Sequence, residues 1–216
     1  YHEKPIYGGY ESRSSIEVMQ NTQTYFLNMF HILGSKDDII KQDLATHGLS
    51  LFDYFDIKYV TLHKELATSS KIANIRQLMS EILSGDSPVY DDDRIVVYKI
   101  PKPNYSEPFL LLGSGWHIFD SEYHVRTTMK NSEILIINPT DSEIHVTLNV
   151  VLSSLEKEKT ITVSVNNGEQ FRVNIHPTFQ DMQVKDFILK PGVNVITFDT
   201  NEFTIMEYSL EGTDIG

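Results

Sequence analysis

The first thirteen residues gather side chains that could bind a phosphate. Two fixed cations, an imidazole and a phenol fall close together in a glycine-containing stretch, as Lys4, Arg13, His2 and Tyr10. An arginine can hold a phosphate through two parallel hydrogen bonds, and a lysine can add a point charge. Adjacent glycines would let the backbone approach a ligand closely. The alternative is an exposed surface loop with ordinary charges, which these residues alone favour.

A second group of residues could bind a sugar. Trp116 is the only tryptophan in the sequence, and His117, Tyr123 and His124 follow it closely. Aromatic rings such as Trp116 and Tyr123 could stack on the apolar face of a sugar. The alternative is that Trp116 anchors a core or an interface between domains, which suits a large ring with one polar atom. Of these two readings of Trp116, the anchor is the favoured one.

The remaining candidates for chemistry are weak. The acidic turn Asp91–Asp93 offers the oxygen ligands that calcium prefers, but it lacks the spacing of an EF-hand, and aspartates are common in turns. The sequence has no cysteine, and its eight histidines form no zinc motif. It also has no nucleophile elbow and no phosphate-binding glycine loop before a helix. We therefore expect no metal, no cofactor and no catalytic residues in this chain.

Composition limits the class of protein. Hydrophobic residues make up 40% of the chain and charged residues 22%, which is ordinary for a globular protein. The net charge of -12 disfavours nucleic acid as a partner, because the chain would repel a phosphate backbone. No apolar run approaches the roughly 20 residues that span a bilayer. Because the chain opens on Tyr1 in a loop-like segment, we expect a longer protein with its targeting or membrane segment upstream.

Residues 1–105 are predicted to form a small α/β unit. Ser14 and Glu17 have the spacing of a capping box, and apolar residues recur at helical spacing after them. The segment Pro101–Pro108 holds three prolines and is the best candidate for a linker. The predicted elements before it are helices 14–33, 37–48 and 70–84 and strands 57–62, 88–91 and 94–100.

Residues 106–216 are predicted to form an antiparallel β-sandwich, similar to a jelly roll. Apolar and polar residues alternate through 144–152, as in a strand with one buried face. Asn167-Gly168 is a strong signal for a tight hairpin, and Lys190-Pro-Gly192 marks another turn. Repeated short strands with turns between them are typical of sandwiches. The predicted fold class is therefore α+β, with the α/β unit first and the sandwich second.

Residues 2–13, with the sequence HEKPIYGGYESR, resemble a segment of large polytopic membrane proteins of bacteria and archaea. These proteins are membrane-embedded glycosyltransferases of the protein mannosyltransferase and aminoarabinose transferase type, or their uncharacterised relatives. Residues 51–63 and 89–100 are similar to later segments of the same family. Gly115-Trp116, Glu122 and Arg126 are similar to its Gly-Trp, Glu and Arg stretch.

The resemblance implies a C-terminal domain on the extracytoplasmic face of the cell membrane. The family's catalytic acids lie in N-terminal loops, so this part would not catalyse transfer alone. Its partners would be its own upstream transmembrane region and a lipid-linked sugar donor or a glycan acceptor, with the candidate ligand-binding residues named above. Two alternatives stay open, namely a carbohydrate-binding module and a purely structural or assembly domain of an envelope protein. An independent hydrolase is the least favoured reading, because no spacing in the sequence selects a pair of carboxylates.

Overall fold

The computed structural model describes residues 39–85, 87–104, 106–117, 119–120, 122–168, 170–200 and 204–212. At residue 185 and over 204–212 the description covers the backbone. The predicted helix 14–33 and the candidate ligand residues His2, Lys4, Tyr10 and Arg13 lie outside the described residues. No helix in the described part is both long and apolar enough to cross a membrane.

The first part is a small α/β unit. Its sheet has three antiparallel strands in the order β1-β3-β2. Each helix begins at a side-chain cap, since Asp43 accepts a hydrogen bond from the Ala45 amide at 3.0 Å and Thr68 accepts one from the Lys71 amide at 3.3 Å. The elements among the described residues of this part are α1 (Leu44–Tyr54), β1 (Tyr59–His63), a 3-10 turn (Lys64–Leu66), α2 (Ser69–Ile82), β2 (Tyr90–Asp91) and β3 (Ile95–Lys99).

The predicted range of the second helix, 37–48, is wrong at both ends. Helix α1 begins at Leu44, runs through Gly48 and ends at Tyr54. A Cβ atom at Gly48 would lie 2.7 Å from Cγ1 of Ile82 on α2. The glycine therefore allows the two helices to approach closely and does not end the first one. The other predicted elements of this unit, strands 57–62, 88–91 and 94–100 and helix 70–84, are confirmed to within a few residues.

The second part is an antiparallel β-sandwich, as predicted. One sheet has five strands in the order β4-β6-β11-β8-β9, and the other has four in the order β10-β7-β12-β5. Alternating apolar residues of β7, including Leu148 and Leu152, point into the core between the sheets. The strands are β4 (Phe109–Leu112), β5 (Arg126–Thr127), β6 (Asn131–Asn138), β7 (Ile144–Ser153), β8 (Lys159–Val165), β9 (Gln170–Ile175), β10 (Gln180–Leu189), β11 (Gly192–Asp199) and β12 (Thr204–Gly212).

The hairpin between β8 and β9 is confirmed, with its turn one residue earlier than predicted. Asn166 and Asn167 both have positive φ, at 50° and 57°. The Gly168 amide donates to the Val165 carbonyl at 2.8 Å and closes the turn. This is the turn with two left-handed central residues that matches the twist of a β-hairpin, and asparagine tolerates that conformation.

The α/β unit packs directly on one edge of the sandwich. The ring of Tyr54 on α1 contacts the ring of Phe109 on β4 edge-on, with centroids 5.6 Å apart. The Glu107 amide donates to the hydroxyl of Ser50 at 3.1 Å. Buried residues of both parts belong to one continuous hydrophobic core. The segment 101–108 therefore joins parts that touch each other, and the domain boundary between residues 105 and 106 stays a prediction.

Candidate functional site

Trp116 is buried, and it occupies the position that the anchor interpretation predicts. Its side chain is 6% exposed, and the indole nitrogen donates to the Glu133 carbonyl at 2.6 Å. It also forms an isolated antiparallel bridge with Thr128. With its ring in the core and its polar atom paired, Trp116 offers no exposed face on which a sugar could stack.

The glycines before Trp116 explain how the ring reaches this position. Gly115 has a φ of +82°, and a Cβ atom there would lie 1.8 Å from the carbonyl oxygen of Asn131. The hydroxyl of Ser114 donates to a carboxylate oxygen of Glu133 at 2.9 Å. The segment therefore wraps tightly around the start of β6, and its glycines have a packing role.

Tyr123 lies at the tip of a short hairpin and is 66% exposed. Asp120 and Val125 face each other across this hairpin, and each amide donates to the other's carbonyl. The Asp120 carboxylate also accepts from the amides of Glu122 and Tyr123, at 2.9 and 3.2 Å. Of the two aromatic candidates, Tyr123 is therefore the one that presents its side chain to solvent.

Arg126 and Phe119 support the base of this hairpin. The Arg126 guanidinium lies 6.0 Å from the centroid of the Phe119 ring and donates to the His117 carbonyl at 2.7 Å. The Phe119 ring in turn contacts the imidazole of His124 edge-on. Because Arg126 begins β5, the hairpin is held at one edge of the four-stranded sheet.

A polar cleft lies at the opposite edge of the same sheet, on β7 and β10. Its volume is about 600 Å³, and its lining includes Asn149, Asp181 and Gln183 together with Val150 and Met182. The register of the two strands places Gln183 directly opposite Asn149. The Gln183 amide nitrogen donates to the Asn149 side-chain oxygen at 2.7 Å. The two carboxamides are thus held in a fixed relative orientation beside the Asp181 carboxylate.

The cleft has the chemistry to bind a ligand with many hydroxyl groups. The Asn149 amide nitrogen can donate, the Gln183 amide oxygen can accept, and the Asp181 carboxylate accepts only. A hydroxyl both donates and accepts, so it complements each of these groups. The sequence predicts strands that hold Asn149 and Gln183, at 144–152 and 182–189, with Asp181 directly before the second. It did not show that these strands are neighbours in this register, and the site was missed for that reason.

The acidic turn Asp91–Asp93 is engaged in ion pairs and hydrogen bonds. Asp91 contacts Lys64 at 2.6 Å and Arg76 at 2.7 Å, and hydrogen bonds from these two cations lower the pKa of Asp91. Asp92 accepts from the amides of Arg94 and Ile95, both at 2.8 Å, which helps to lower its pKa. This agrees with the structural turn favoured from the sequence. Within the described ranges, no three carboxylates or histidines are grouped to hold a metal ion.

Comparisons with known proteins give distant structural similarity. No protein-family model and no curated protein matches this sequence. A Podospora anserina GH26-CBM35 β-(1,4)-mannanase is similar over 50% of this chain and 28% of that chain, with 16% identity and a TM-score of 0.40. A CBM35 from Cellvibrio japonicus is similar over 49% of this chain and 95% of that chain, with 15% identity and a TM-score of 0.35.

A family two carbohydrate esterase from Cellvibrio japonicus is similar over 50% of this chain and 32% of that chain, with 10% identity and a TM-score of 0.35. The chain thus spans about a third or less of the two enzymes. Similarity at these identities and scores carries no information about what this chain binds.

Proposed function

We propose that this chain is a glycan-binding domain without catalytic activity of its own, and that it binds its ligand on the outer face of the four-stranded sheet. One observation carries the proposal, which is the polar cleft where Asn149 and Gln183 are hydrogen-bonded to each other beside Asp181. Two fixed carboxamides and a carboxylate on an exposed sheet face offer both donors and acceptors to sugar hydroxyls.

The position of Tyr123 supports an extended ligand. The cleft lies on β7 and β10, and the Tyr123 hairpin continues from β5 at the other edge of the sheet. Strands β7 and β5 are separated by one strand, which corresponds to about 10 Å. An oligosaccharide that crosses β12 from the amides toward β5 would extend toward the hairpin that exposes Tyr123.

A glycan array probed with this chain tests the proposal. Binding of a set of related glycans in the absence of a membrane supports it. An array with no bound glycan contradicts it and favours the structural or assembly domain.

A second candidate function rests on residues 2–13, whose resemblance to a segment of membrane glycosyltransferases supports it. In this proposal the chain is the accessory domain of such a protein on the extracytoplasmic face. Lys4 and Arg13 would neutralise the phosphate of a lipid-linked sugar donor, next to the upstream transmembrane region.

The full-length protein with Lys4→Ala and Arg13→Ala should lose its sugar-transfer activity, and unchanged sugar transfer would contradict this role. The two candidates are compatible, since an accessory domain could bind the glycan acceptor.

A further inference from the structure

The polar cleft on β7 and β10 has one carboxylate and no cation among the described residues that line it. The carboxylate belongs to Asp181, which is exposed and lies opposite Val151 in the register of the two strands. The other polar side chains of this lining, Asn149 and Gln183, are uncharged. A ligand in the cleft therefore meets a negative charge that no lysine or arginine of the described lining balances.

The strands that form and adjoin the cleft add to this negative charge. Strand β12 lies next to β7 and carries Glu207 and Glu211. On β10, Lys185 is followed by Asp186, and β7 carries no acidic residue, lysine or arginine. With Asp181, these three strands have four carboxylates and one fixed cation. Their net charge therefore disfavours an anion beside them.

Asp181 is close enough to the two carboxamides to act on the same ligand. Asp181 and Gln183 are two positions apart on β10, so they lie on the same face of the sheet with Cα atoms about 7 Å apart. This separation is shorter than the Debye length of about 8 Å at physiological ionic strength, so salt does not fully screen the carboxylate. A second carboxylate that bound to the carboxamides would therefore be repelled by Asp181.

We propose that the polar cleft selects neutral sugars over uronic acids, and that Asp181 is the residue that sets this preference. The inference rests on the glycan-binding function proposed above and names the class of glycan. A neutral hexose presents hydroxyl groups, which can donate to Asp181 and can both donate to and accept from the carboxamides. A hexuronate has a carboxylate in place of the hydroxymethyl group, and like charges brought together in a complex act against binding.

Calorimetric titration with matched tetrasaccharides tests the proposal. The pairs are tetrasaccharides of glucose and of glucuronate, of mannose and of mannuronate, and of galactose and of galacturonate, with the same linkage within each pair. A chelator is present, so that no divalent cation bridges two carboxylates. In at least one pair, the wild type should bind the neutral member at least about tenfold more tightly than the uronate. This preference should shrink at an ionic strength of about 1 M, where the Debye length is about 3 Å.

Two variants separate the role of Asp181 from the net charge of the protein. Asp181→Asn should bring the two affinities of that pair to within about threefold, because it keeps a side-chain acceptor and removes the charge. The control Asp141→Asn removes the same charge from an exposed residue in the loop before β7. Strand β7 begins seven residues, or about 23 Å, before Val151, so the control should keep the preference of the wild type.

The outcomes distinguish this inference from the proposed function. Equal binding of both members, tighter binding of the uronates or a preference that salt does not change would overturn the inference and leave the glycan-binding proposal standing. An unchanged preference in Asp181→Asn would overturn the role of Asp181. A wild type that binds none of the neutral tetrasaccharides would overturn the inference, and a glycan array with no bound glycan would overturn the proposed function as well.

Discussion

The side chain of Gln42 forms two hydrogen bonds with the backbone of Leu110, as a neighbouring β-strand would. Its amide nitrogen donates to the Leu110 carbonyl at 3.2 Å, and its amide oxygen accepts from the Leu110 amide at 3.0 Å. Leu110 lies on β4, which is the edge strand of the five-stranded sheet. Gln42 therefore provides hydrogen-bond partners for the amide and the carbonyl of Leu110 at the edge of the sheet, where these backbone groups would otherwise be unpaired.

Replacing Gln42 by alanine should lower the free energy of unfolding by about 1–3 kcal/mol, because the variant leaves two backbone groups of a buried residue unpaired. Urea denaturation measures the change. The control is Gln77→Ala, which removes an exposed helical glutamine that contacts Glu81 at 3.2 Å and should cost less than about 0.5 kcal/mol. Equal effects of the two variants would contradict the role assigned to Gln42.

Gly48→Ala should destabilise the protein although alanine is the better helix former. A methyl group at this position would lie 2.7 Å from Ile82 Cγ1 and 2.8 Å from Ile82 Cγ2. Overpacking of this kind costs about 1–3 kcal/mol, against a gain of about 1 kcal/mol in helix propensity. Thermal unfolding of the single variants and of Gly48→Ala with Ile82→Ala measures the coupling. The double variant should be more stable than the sum of the single effects predicts, and strict additivity would contradict the clash.

Asn194→Ala should be among the more damaging polar substitutions in the sandwich. This buried side chain accepts from the Lys190 amide at 2.9 Å and donates to the Lys190 carbonyl at 2.8 Å. It also accepts from the Asn166 amide group at 2.9 Å, which links two turns at one end of the sandwich. Losing this buried network should lower the free energy of unfolding by about 2–4 kcal/mol.

The control for Asn194 is Asn174→Ala, an exposed residue whose side chain accepts from the Thr160 hydroxyl at 2.8 Å. It should change the free energy of unfolding by less than about 0.5 kcal/mol in urea denaturation. A cost at Asn194 no larger than that at Asn174 would contradict the importance of the network.

His47 should make stability depend on pH. Burial lowers its pKa below the usual value of 6.5, and it outweighs the nearby carboxylates of Glu107 and Asp43, which act in the opposite direction. The unfolded chain therefore takes up the proton first, so this contribution to stability is present above pH 6.5 and is lost as the pH falls below that value.

Unfolding free energies measured between pH 7.5 and pH 5.5 test the role of His47. The wild type should lose more stability over this range than His47→Gln, whose side chain does not titrate. The control Asn174→Ala, which replaces an exposed side chain that does not titrate, should keep the slope of the wild type. Parallel curves for the wild type and His47→Gln would contradict the prediction.

Helices and strands could be predicted from the sequence where a pattern within the element itself determines its position. The alternating residues of β7 and the apolar face of α2 gave their positions directly, because each depends on periodicity within the element. Gly48 was misread because a glycine in a helix has the same local signature whether it ends the helix or accommodates a neighbour. Contact with Ile82, 34 positions later, decides between the two, and no local pattern contains it.

The candidate site depended on pairing between distant strands. Asn149 and Gln183 are unremarkable polar residues until β7 and β10 pair in the register that places them side by side. Trp116 is the reverse case. Its residue type made it a candidate from the sequence, but its packing against β6 buries the ring away from solvent. Tyr123 was found from its type and position, and its exposure keeps it a candidate.

The most direct test of the central claim compares three proteins on the same glycan array. They are the wild type, the variant with Asn149→Ala and Gln183→Ala, and the control Asn174→Ala, which breaks an exposed cross-strand hydrogen bond on the other sheet. We expect the wild type and the control to bind the same glycans with equal affinity. The double variant should bind them at least about tenfold more weakly, because it loses two hydrogen-bonding groups in the cleft. Undiminished binding by the double variant, or no binding by the wild type, would contradict the claim that the polar cleft is a glycan-binding site.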